Sequence, residues 1–270
     1  AKAFYIAASG RPGPVLIDIT KDAQINTLEW SYKKVTKLPG FIPTPKLEQE
    51  SVQNAAELIA ECRKPMILAG HGVRLAKAED ALFAFAEKAG IPVAVTLHGL
   101  SSFPSGHHLY AGMLGMHGNY APNVLTNEAD LLIAVGMRFD DRVTGKLDLY
   151  AKKAKIIHID IDQAEIDKII KTDVAICADA KEALEALVQA CPKTDFSMWV
   201  EQFRKLDAVE HEKIISPGIN PTSGQLKMSE VIARVSESSK GDAIVVSDVG
   251  QHQMMAARYY KFARRNSWIN

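Results

Sequence analysis

The segment DLLIAVGMRFDDRVTG (Asp130–Gly145) joins a strand pattern to a cluster of charges, and the fold follows from it. Its first half is a continuous apolar run that ends at Gly136. A plain turn needs Gly, Asn, Asp or Pro rather than several charged side chains. The next positions nevertheless hold Arg138, Asp140, Asp141 and Arg142. The segment therefore predicts a buried strand whose carboxyl end carries a functional site.

Further apolar runs of strand type lie on both sides of this segment. They are PMILAG, IPVAVT, KIIHIDID and VAICAD. Helix patterns separate them, including AEDALFAFAEKAG, which ends at Gly90, and AKEALEALVQA. Near-continuous apolar strands with helices between them predict an α/β fold. We expect a doubly wound parallel sheet with helices on both faces, a Rossmann-like domain in the middle of the chain.

Smaller features complete the predicted middle domain. One helical face is formed by Val52, Ala55, Ala56, Ile59 and Cys62. A loop is expected from His107 through GMLGMHGNY, then a short helix near APNVLTNEA, and another helix from Ile166 to Ile170. Downstream, a further helix lies in CPKTDFSMWVEQFRKLDAVEHEK, and IISPGINPTSG is interpreted as a linker because it is rich in Pro and Gly.

The pattern divides the chain into five parts. The first residues resemble a helix, and GPVLIDI (Gly13–Ile19) is predicted to be a buried strand. Both chain ends interrupt such patterns, so we expect an excerpt of a longer protein, with pieces of two further α/β domains flanking the middle one. The predicted parts are 1–22 (end of a first domain), 23–46 (linker), 47–192 (middle domain), 193–224 (helix and linker) and 225–270 (start of a third domain).

Composition excludes several classes of function. Lys plus Arg and Asp plus Glu both number 32, so the net charge of zero offers no basic face for nucleic acid and no polybasic membrane anchor. No apolar run is long enough to span a bilayer. Three cysteines without metal-ligand spacing fit a reducing cytoplasm. Metal-ligand spacing is also missing from the histidines near the strand ends: His71, His98 and His117.

Small, polar or charged residues follow each predicted strand. In open parallel sheets, ligands bind outside the carboxyl ends of the strands. Glycines allow close backbone approach to a pyrophosphate, arginine forms a fork for phosphate, and carboxylates accept hydrogen bonds from ribose. The residues in question are Gly70-His71-Gly72, Thr96-Leu97-His98, Gly136 with Arg138, Asp140 and Arg142, then Asp160, and finally Asp179. Together they predict a site for a nucleotide-type ligand.

Each of these signals has a structural alternative when taken alone. Gly70 and Gly72 form an incomplete glycine fingerprint, since Leu75 occupies the third position, and a simple turn would explain them. The aspartates after the last two strands could be helix N-caps. Arg138 and Asp140 could form a structural ion pair, and exposed pairs of this kind are weak.

Five motifs, in order, identify a family. GRPGPVLIDITKD, GMLGMHG, VGMRFDDRVTG, IIHIDID and SDVGQHQM resemble the catalytic subunits of acetolactate synthases (acetohydroxyacid synthases), which are thiamine diphosphate enzymes. The resemblance covers the whole chain. It implies a pyrimidine-binding domain, a middle FAD-binding domain and a pyrophosphate-binding domain. The implied reaction joins two pyruvates, or pyruvate and 2-ketobutyrate, with loss of CO2 in branched-chain amino acid biosynthesis. The implied cofactors are FAD, thiamine diphosphate and Mg2+, in a homo-oligomer (dimer or tetramer) that a regulatory subunit could join.

The resemblance also implies residue roles. Arg142 is similar to an arginine that holds the carboxylate of the incoming 2-ketoacid, and Lys21 and Met116 match positions along the substrate channel. The positions that match FAD contacts are Arg11, Gly70, His71, Gly72, Thr96, Leu97, His98, His117, Gly136, Arg138, Asp140, Val143, Asp160, Asp179, Ala180 and Gln253. The positions that match contacts to the thiamine diphosphate phosphates are Val249, Gly250, Gln251 and His252.

The sequence departs from the family pattern at two positions. Thr20 stands where proline is expected and Met137 where smaller residues are usual, but neither removes a charged contact. The glutamate that activates thiamine and the magnesium-binding motif are expected outside residues 1–270. We therefore expect this excerpt alone to be inactive and to bind FAD weakly at most.

Two other classes of function compete with this interpretation. One is a stand-alone NAD- or nucleotide-binding module, such as a dehydrogenase or deacylase-like domain, which the incomplete glycine motif disfavours. The other is a structural or regulatory relic, which would not need the charges of Arg142 and Lys21.

Overall fold

In a computed structural model, which describes residues 1–222 and 224–270, the apolar runs around Gly136 form one parallel sheet. Within the described residues the sheet has six strands in the order β3-β2-β1-β4-β5-β6. The strands are β1 (Pro65–Ala69), β2 (Val93–Val95), β3 (Tyr110–Met113), β4 (Leu131–Val135), β5 (Lys155–Asp160) and β6 (Val174–Cys177). The strand order reverses between β1 and β4, as in doubly wound folds. The predicted fold class is confirmed.

Each face of the sheet carries its own apolar core. Successive side chains of a strand point to opposite faces. On β1, Ile67 and Ala69 belong to one core, while Met66 and Leu68 belong to the other. This two-sided burial explains why β1, β2 and β4 are apolar at every position.

Helices cover both faces. The first core is closed by α3 (Gln49–Glu61), α5 (Glu79–Ala89) and α8 (Ala180–Ala190). The second is closed by α6 (Tyr120–Leu125) and α9 (Ser197–Glu210). Two short helices, α4 (His71–Leu75) and α7 (Asp141–Thr144), follow β1 and β4 directly. Gly90 ends α5 in the left-handed conformation, with φ of 62°, as its position in the sequence predicts.

The carboxyl-terminal part adds further helices and a two-stranded sheet. Helix α9 continues as a π-helical turn (His211–Ile215) into α10 (Ser216–Ile219), and α11 (Met228–Ser238) and α12 (Gln251–Tyr259) follow. The strands β7 (Val245–Val246) and β8 (Trp268–Ile269) pair in parallel. Phe262 and Trp268 are fully buried and join the first core. None of the helices in the described part of the chain is long and apolar enough to cross a membrane.

Three predictions for residues 107–224 are wrong. Residues Tyr110–Met113, which are predicted to lie in a loop, form strand β3. The helix at Ile166–Ile170 is a series of turns, because Asp167 adopts a positive φ of 58° that a right-handed helix cannot include. Most of the predicted linker from Ile214 is helical through Ile219, because Pro217 occupies a first-turn position where its missing N–H is tolerated. Ser223, also in that linker, lies outside the described residues.

Residues Ala1–Lys46 form a unit of their own, and Leu47–Asn270 form the other. The first unit contains α1 (Lys2–Ala7), where a helix was expected, and α2 (Lys21–Ile25). The predicted strand Gly13–Ile19 is wrong, since the segment is exposed and Leu16 keeps 94% of its surface accessible. A strand needs a neighbouring strand for its hydrogen bonds, and no described residue pairs with this one. The remaining domain boundaries stay predictions.

Candidate functional site

The parallel sheet places the carboxyl ends of all its described strands along one edge. The reversal of strand order between β1 and β4 creates a crevice there, which is where ligands bind in such sheets. The predicted residues follow the strands in this order: Gly70, His71 and Gly72 after β1; Thr96, Leu97 and His98 after β2; Met116 and His117 after β3; Gly136, Arg138, Asp140, Arg142 and Val143 after β4; Asp160 at the end of β5; Asp179 and Ala180 after β6.

Three glycines bring two backbones into contact at the crevice. The N–H of Gly72 donates to the Gly136 carbonyl at 2.8 Å, and the N–H of Gly70 donates to the Val135 carbonyl at 2.9 Å. A Cβ on Gly72 would lie 2.6 Å from the Cα of Gly136. Gly136 has a positive φ of 56°. The turn after β1 and the end of β4 therefore form a backbone cradle without side chains, which would let a diphosphate approach the backbone closely.

The turns after β1 and β2 bring two histidines, His71 and His98, to the cradle. Thr96 accepts a hydrogen bond from the Gly99 N–H at 3.1 Å and so caps the short helical turn that carries His98. The Nδ1 of His71 lies 3.3 Å from the His98 carbonyl oxygen. Partial burial lowers the pKa of His98, and the charges of His71, Arg138 and Arg74 lower it further. Arg138 and Arg74 therefore lie near His98, and the Asp140 carboxylate opposes their effect on its pKa.

Side chains of α6 hold the loop after β3. Asn123 accepts from the Gly115 N–H at 2.8 Å and donates to the Gly115 carbonyl at 2.9 Å. At the tip, the N–H of Met116 donates to the Arg142 carbonyl at 2.8 Å. The exposed side chains of Met116 and His117 are thus presented next to the charged loop that follows β4.

The charged loop after β4 is ordered mainly by its own residues. Asp140 caps α7 by accepting from the Arg142 N–H at 3.1 Å. Arg138 lies 3.6 Å from Asp140, and Arg142 lies 3.5 Å from Asp141. The structural ion pair considered for Arg138 is therefore present, but such exposed pairs contribute little to stability. Because the side chain of Arg142 is 71% exposed, its guanidinium remains available to an anion.

The ends of β5 and β6 differ from one another. Asp179 is the N-cap of α8, since it accepts from the N–H groups of Lys181 and Glu182 at 2.9 and 3.4 Å. Asp160 is followed by turns rather than by a helix, so the N-cap alternative is wrong for it. Its buried carboxylate accepts from the Asp162 N–H at 2.9 Å.

Comparison with known proteins now assigns the fold. Residues 52–187 match the family model described as "Thiamine pyrophosphate enzyme, central domain". The chain belongs to the thiamine pyrophosphate enzyme family.

Relatives within this family are similar along the whole chain. "Acetolactate synthase large subunit" of Corynebacterium glutamicum is 42% identical over 276 residues, which are 100% of this chain and 43% of that protein. "Acetolactate synthase 1, chloroplastic" of Nicotiana tabacum is also 42% identical, over 99% of this chain and 40% of that protein. "Acetolactate synthase" of Mycobacterium bovis is 42% identical, over 100% of this chain and 44% of that protein. The chain thus spans less than half the length of these curated relatives.

The predicted thiamine diphosphate contacts surround the start of α12. Gly250 is the N-cap of this helix, and Val249, Gln251 and His252 are exposed beside it. Gln253, predicted to be on the flavin side, is buried and donates to the Asn270 side-chain oxygen at 2.7 Å.

Arg11 and Lys21 belong to the first unit of this thiamine pyrophosphate enzyme chain. Arg11 lies in an exposed segment between α1 and α2, and Lys21 is the exposed first residue of α2.

Two further residues at the site were not predicted from the sequence. Arg74 lies in α4 and donates to the His98 carbonyl at 3.4 Å. His158 is buried within β5, where its Nε2 lies 2.9 Å from the Met137 carbonyl oxygen. A histidine in an apolar strand of a thiamine pyrophosphate enzyme is a signal that could have been noticed. Arg74 carries no local signal, because its partners are distant in the sequence.

A group of possible metal ligands lies elsewhere, at Glu87, His107 and His108. The Nδ1 of His107 accepts from the Leu109 N–H at 3.3 Å, which places the ring proton on Nε2. That Nε2 lies 3.3 Å from the Glu87 carboxylate. A hydrogen bond therefore accounts for the contact between His107 and Glu87, and the Nε2 of His108 lies 3.8 Å from the same carboxylate.

Proposed function

We propose that this chain is part of the catalytic subunit of an acetolactate synthase, and that its middle domain binds FAD. The single observation that supports the FAD site best is the backbone cradle of Gly70, Gly72 and Gly136 at the crevice of a doubly wound sheet. The whole protein would join two pyruvates, or pyruvate and 2-ketobutyrate, and release CO2. The extended likeness to acetolactate synthases supports this choice within the family.

In this proposal the residues after different strands contact different parts of FAD. The glycine cradle and Arg138 bind the diphosphate, while Asp160 and Asp179 accept hydrogen bonds from the adenosine end. His71 also lies along the diphosphate, and Ala180 packs at the adenosine end. Thr96, Leu97 and His98 follow the ribityl and ring portion. Further contacts to FAD are made by His117, Asp140, Val143, Arg11 and Gln253. Since the net reaction transfers no electrons to FAD, its role is structural.

The loops near the crevice supply the substrate contacts. Arg142 binds the carboxylate of the incoming 2-ketoacid, which its exposed guanidinium favours. Lys21 and Met116 line the channel. The start of α12, with Val249, Gly250, Gln251 and His252, binds the phosphates of thiamine diphosphate through helix N–H groups. Thiamine diphosphate, with Mg2+ as its partner ion, would supply the electron sink for decarboxylation and carbon–carbon bond formation.

The proposal also covers partners and location. We infer a homo-oligomer, a dimer or tetramer, that a regulatory subunit can join, as the name "large subunit" of the relatives suggests. A cytoplasmic location is supported by the three free cysteines.

Titration with FAD, followed by flavin fluorescence, tests the central part of the proposal. Wild-type protein should bind FAD, weakly as the isolated chain, and in preference to NAD. Arg138→Gln should weaken binding about tenfold, since a hydrogen-bonded charge is lost. The matched control is Lys146→Gln, an exposed cation beyond α7, which should leave the affinity unchanged. No FAD binding, or NAD-dependent turnover, would refute the proposal and favour the dehydrogenase-like alternative.

A further inference from the structure

We propose that Arg74 is a cofactor-binding residue that contacts the diphosphate of the dinucleotide. The inference rests on the proposed FAD site. It adds to that site a cation that lies outside both the glycine cradle and the charged loop after β4.

Arg74 lies at the crevice itself. It is the fourth residue of α4, the helix that starts directly after Gly70 in the cradle. Its Nη1 donates to the His98 carbonyl at 3.4 Å, and the His71 ring contacts the same oxygen at 3.3 Å. The guanidinium therefore stands between the turn after β1 and the turn after β2, where a dinucleotide would pass.

The groups that accept hydrogen bonds from the guanidinium of Arg74 are neutral. Its Nε and Nη2 both donate to the side-chain oxygen of Asn266, at 3.1 and 2.8 Å. That oxygen is a neutral amide acceptor. Among the residues that the structure describes, no carboxylate lies within ion-pair distance of Arg74. By contrast, Arg138 has Asp140 at 3.6 Å.

Because the guanidinium of Arg74 is partly buried, water solvates its charge less fully than at an exposed site. Burial lowers the pKa of Arg74, although the charge of Glu79 opposes this, and the group remains protonated at neutral pH. The crevice thus holds a positive charge that has no ion-pair partner among the described residues, and a diphosphate would supply one.

The competing explanation is a structural one, in which Arg74 attaches α4 to the segment before β8. That segment is already held by Ser101, whose carbonyl accepts from the Asn266 N–H at 3.2 Å. The Ser101 hydroxyl also accepts from the N–H groups of Ser267 and Trp268, at 2.9 and 3.1 Å. The segment therefore does not depend on Arg74, which favours a role in binding.

Two variants at the two ends of this contact separate the explanations. Arg74→Met removes the charge and keeps the apolar stem, whereas Asn266→Ala removes the neutral partner and keeps the charge. The dissociation constant of FAD is measured for each at several salt concentrations, together with the melting temperature without FAD. We expect Arg74→Met to weaken FAD binding about tenfold and to reduce its salt dependence. Asn266→Ala should leave FAD affinity within about twofold of wild type, since it removes no charge.

Arg74→Lys provides a second measurement, which remains informative even if the fold does not accept methionine at position 74. It keeps the charge but loses the fork, so its FAD affinity should fall between wild type and Arg74→Met. Equal losses of affinity and melting temperature in Arg74→Met and Asn266→Ala would identify a structural contact and overturn the inference. Wild-type affinity in Arg74→Met would overturn it as well. If wild-type protein bound no FAD, the proposed function would fail together with the inference. That result is distinguishable from the two above, because in both of them wild-type protein binds FAD.

Discussion

Single glycines decide how closely two turns approach at the crevice. Gly136 combines a positive φ with direct backbone contact to Gly72, and any side chain at either position would separate the two turns. The charged residues act differently, since Arg138 and Arg142 have only exposed partners and remain open to ligands. The glycines therefore determine the shape of the site, and the exposed arginines supply its charge.

Gly136→Ala should destabilise the protein by about 2 kcal/mol or more, because the left-handed conformation disfavours a Cβ and the new methyl group would meet Gly72. Urea unfolding followed by circular dichroism measures the loss. Gly106→Ala is the matched control, since a Cβ there meets nothing within 4 Å and φ is not positive. If both variants lost the same free energy of unfolding, the close contact would have no energetic importance.

His158 should act as a neutral hydrogen-bond donor to the Met137 carbonyl. His158→Leu leaves that buried oxygen unsatisfied and should lower the free energy of unfolding by about 1–3 kcal/mol. His158→Gln, whose amide nitrogen can reach a similar position, should lose less. Thermal unfolding of both variants without FAD distinguishes them. A glutamine variant as unstable as the leucine variant would show that ring packing against Phe139, rather than the hydrogen bond, matters most.

The pH dependence of stability should reflect the same histidine. Burial lowers the pKa of His158, although the Met137 carbonyl and the Asp160 carboxylate raise it. The unfolded chain therefore takes up a proton as the pH falls below about 6.5, while the folded protein resists protonation. Stability is full above that pH and is lost as the pH decreases. Denaturant unfolding between neutral and mildly acidic pH should show this decline, and His158→Gln should make it shallower; an unchanged slope would contradict the assignment.

The strands of the sheet position these residues, and the apolar pattern of each strand determines how well the sequence predicts it. Strands β1 and β4 are buried on both faces, so their apolar sequences predicted them well. Strand β3 was missed because it is short, lies at the edge of the sheet and contains Gly112 with a positive φ of 99°. The loop that follows it is shaped by Asn119, Asn123 and the distant Glu210.

Glu210 of α9 should control the order of that loop. Its buried carboxylate accepts from the Tyr120 N–H at 3.0 Å and from the Asn119 amide at 3.3 Å, and it pairs with Arg258. Glu210→Ala leaves the partly buried Arg258 and two hydrogen-bond donors without their acceptor, and should lower the free energy of unfolding by about 1–3 kcal/mol. It should also increase hydrogen exchange in residues 113–119, with a smaller effect for Glu210→Gln.

Glu201→Ala, at an exposed position of the same helix, is the control for Glu210. Hydrogen exchange measured by mass spectrometry and urea unfolding would follow both effects. Should Glu210→Ala behave like Glu201→Ala in both measurements, the carboxylate would not hold the loop.

In the second unit as a whole, the carboxyl-terminal segment shares a core with the middle domain. Trp268 and Phe262 are buried in the same apolar cluster as β1 and α5, although they are far from them in the sequence. The crevice that faces this segment combines strand ends from residue 70 to residue 180. Such a site requires the complete sheet, since no single segment contains more than a part of it.

The 270-residue chain alone should form no acetolactate. The resemblance implies that thiamine activation needs a glutamate, and magnesium binding a motif, that this sequence does not contain. Incubation with pyruvate, thiamine diphosphate and Mg2+, followed by acid treatment, should therefore yield no acetoin above the level without protein. A clear yield of acetoin from the chain would contradict the assignment of its domains.

The sequence by itself determined the α/β class, the parallel strands other than β3 and the position of the charged loop, because two-sided burial leaves continuous apolar runs and glycines mark the strand ends. Only the tertiary structure decided that Gly72 touches Gly136, that Arg74 meets Asn266, and that Gly13–Ile19 is not a strand. These facts depend on contacts between residues distant in the chain, or on a partner strand. A local pattern records which residues prefer burial or a turn, but it does not specify which distant group they will meet.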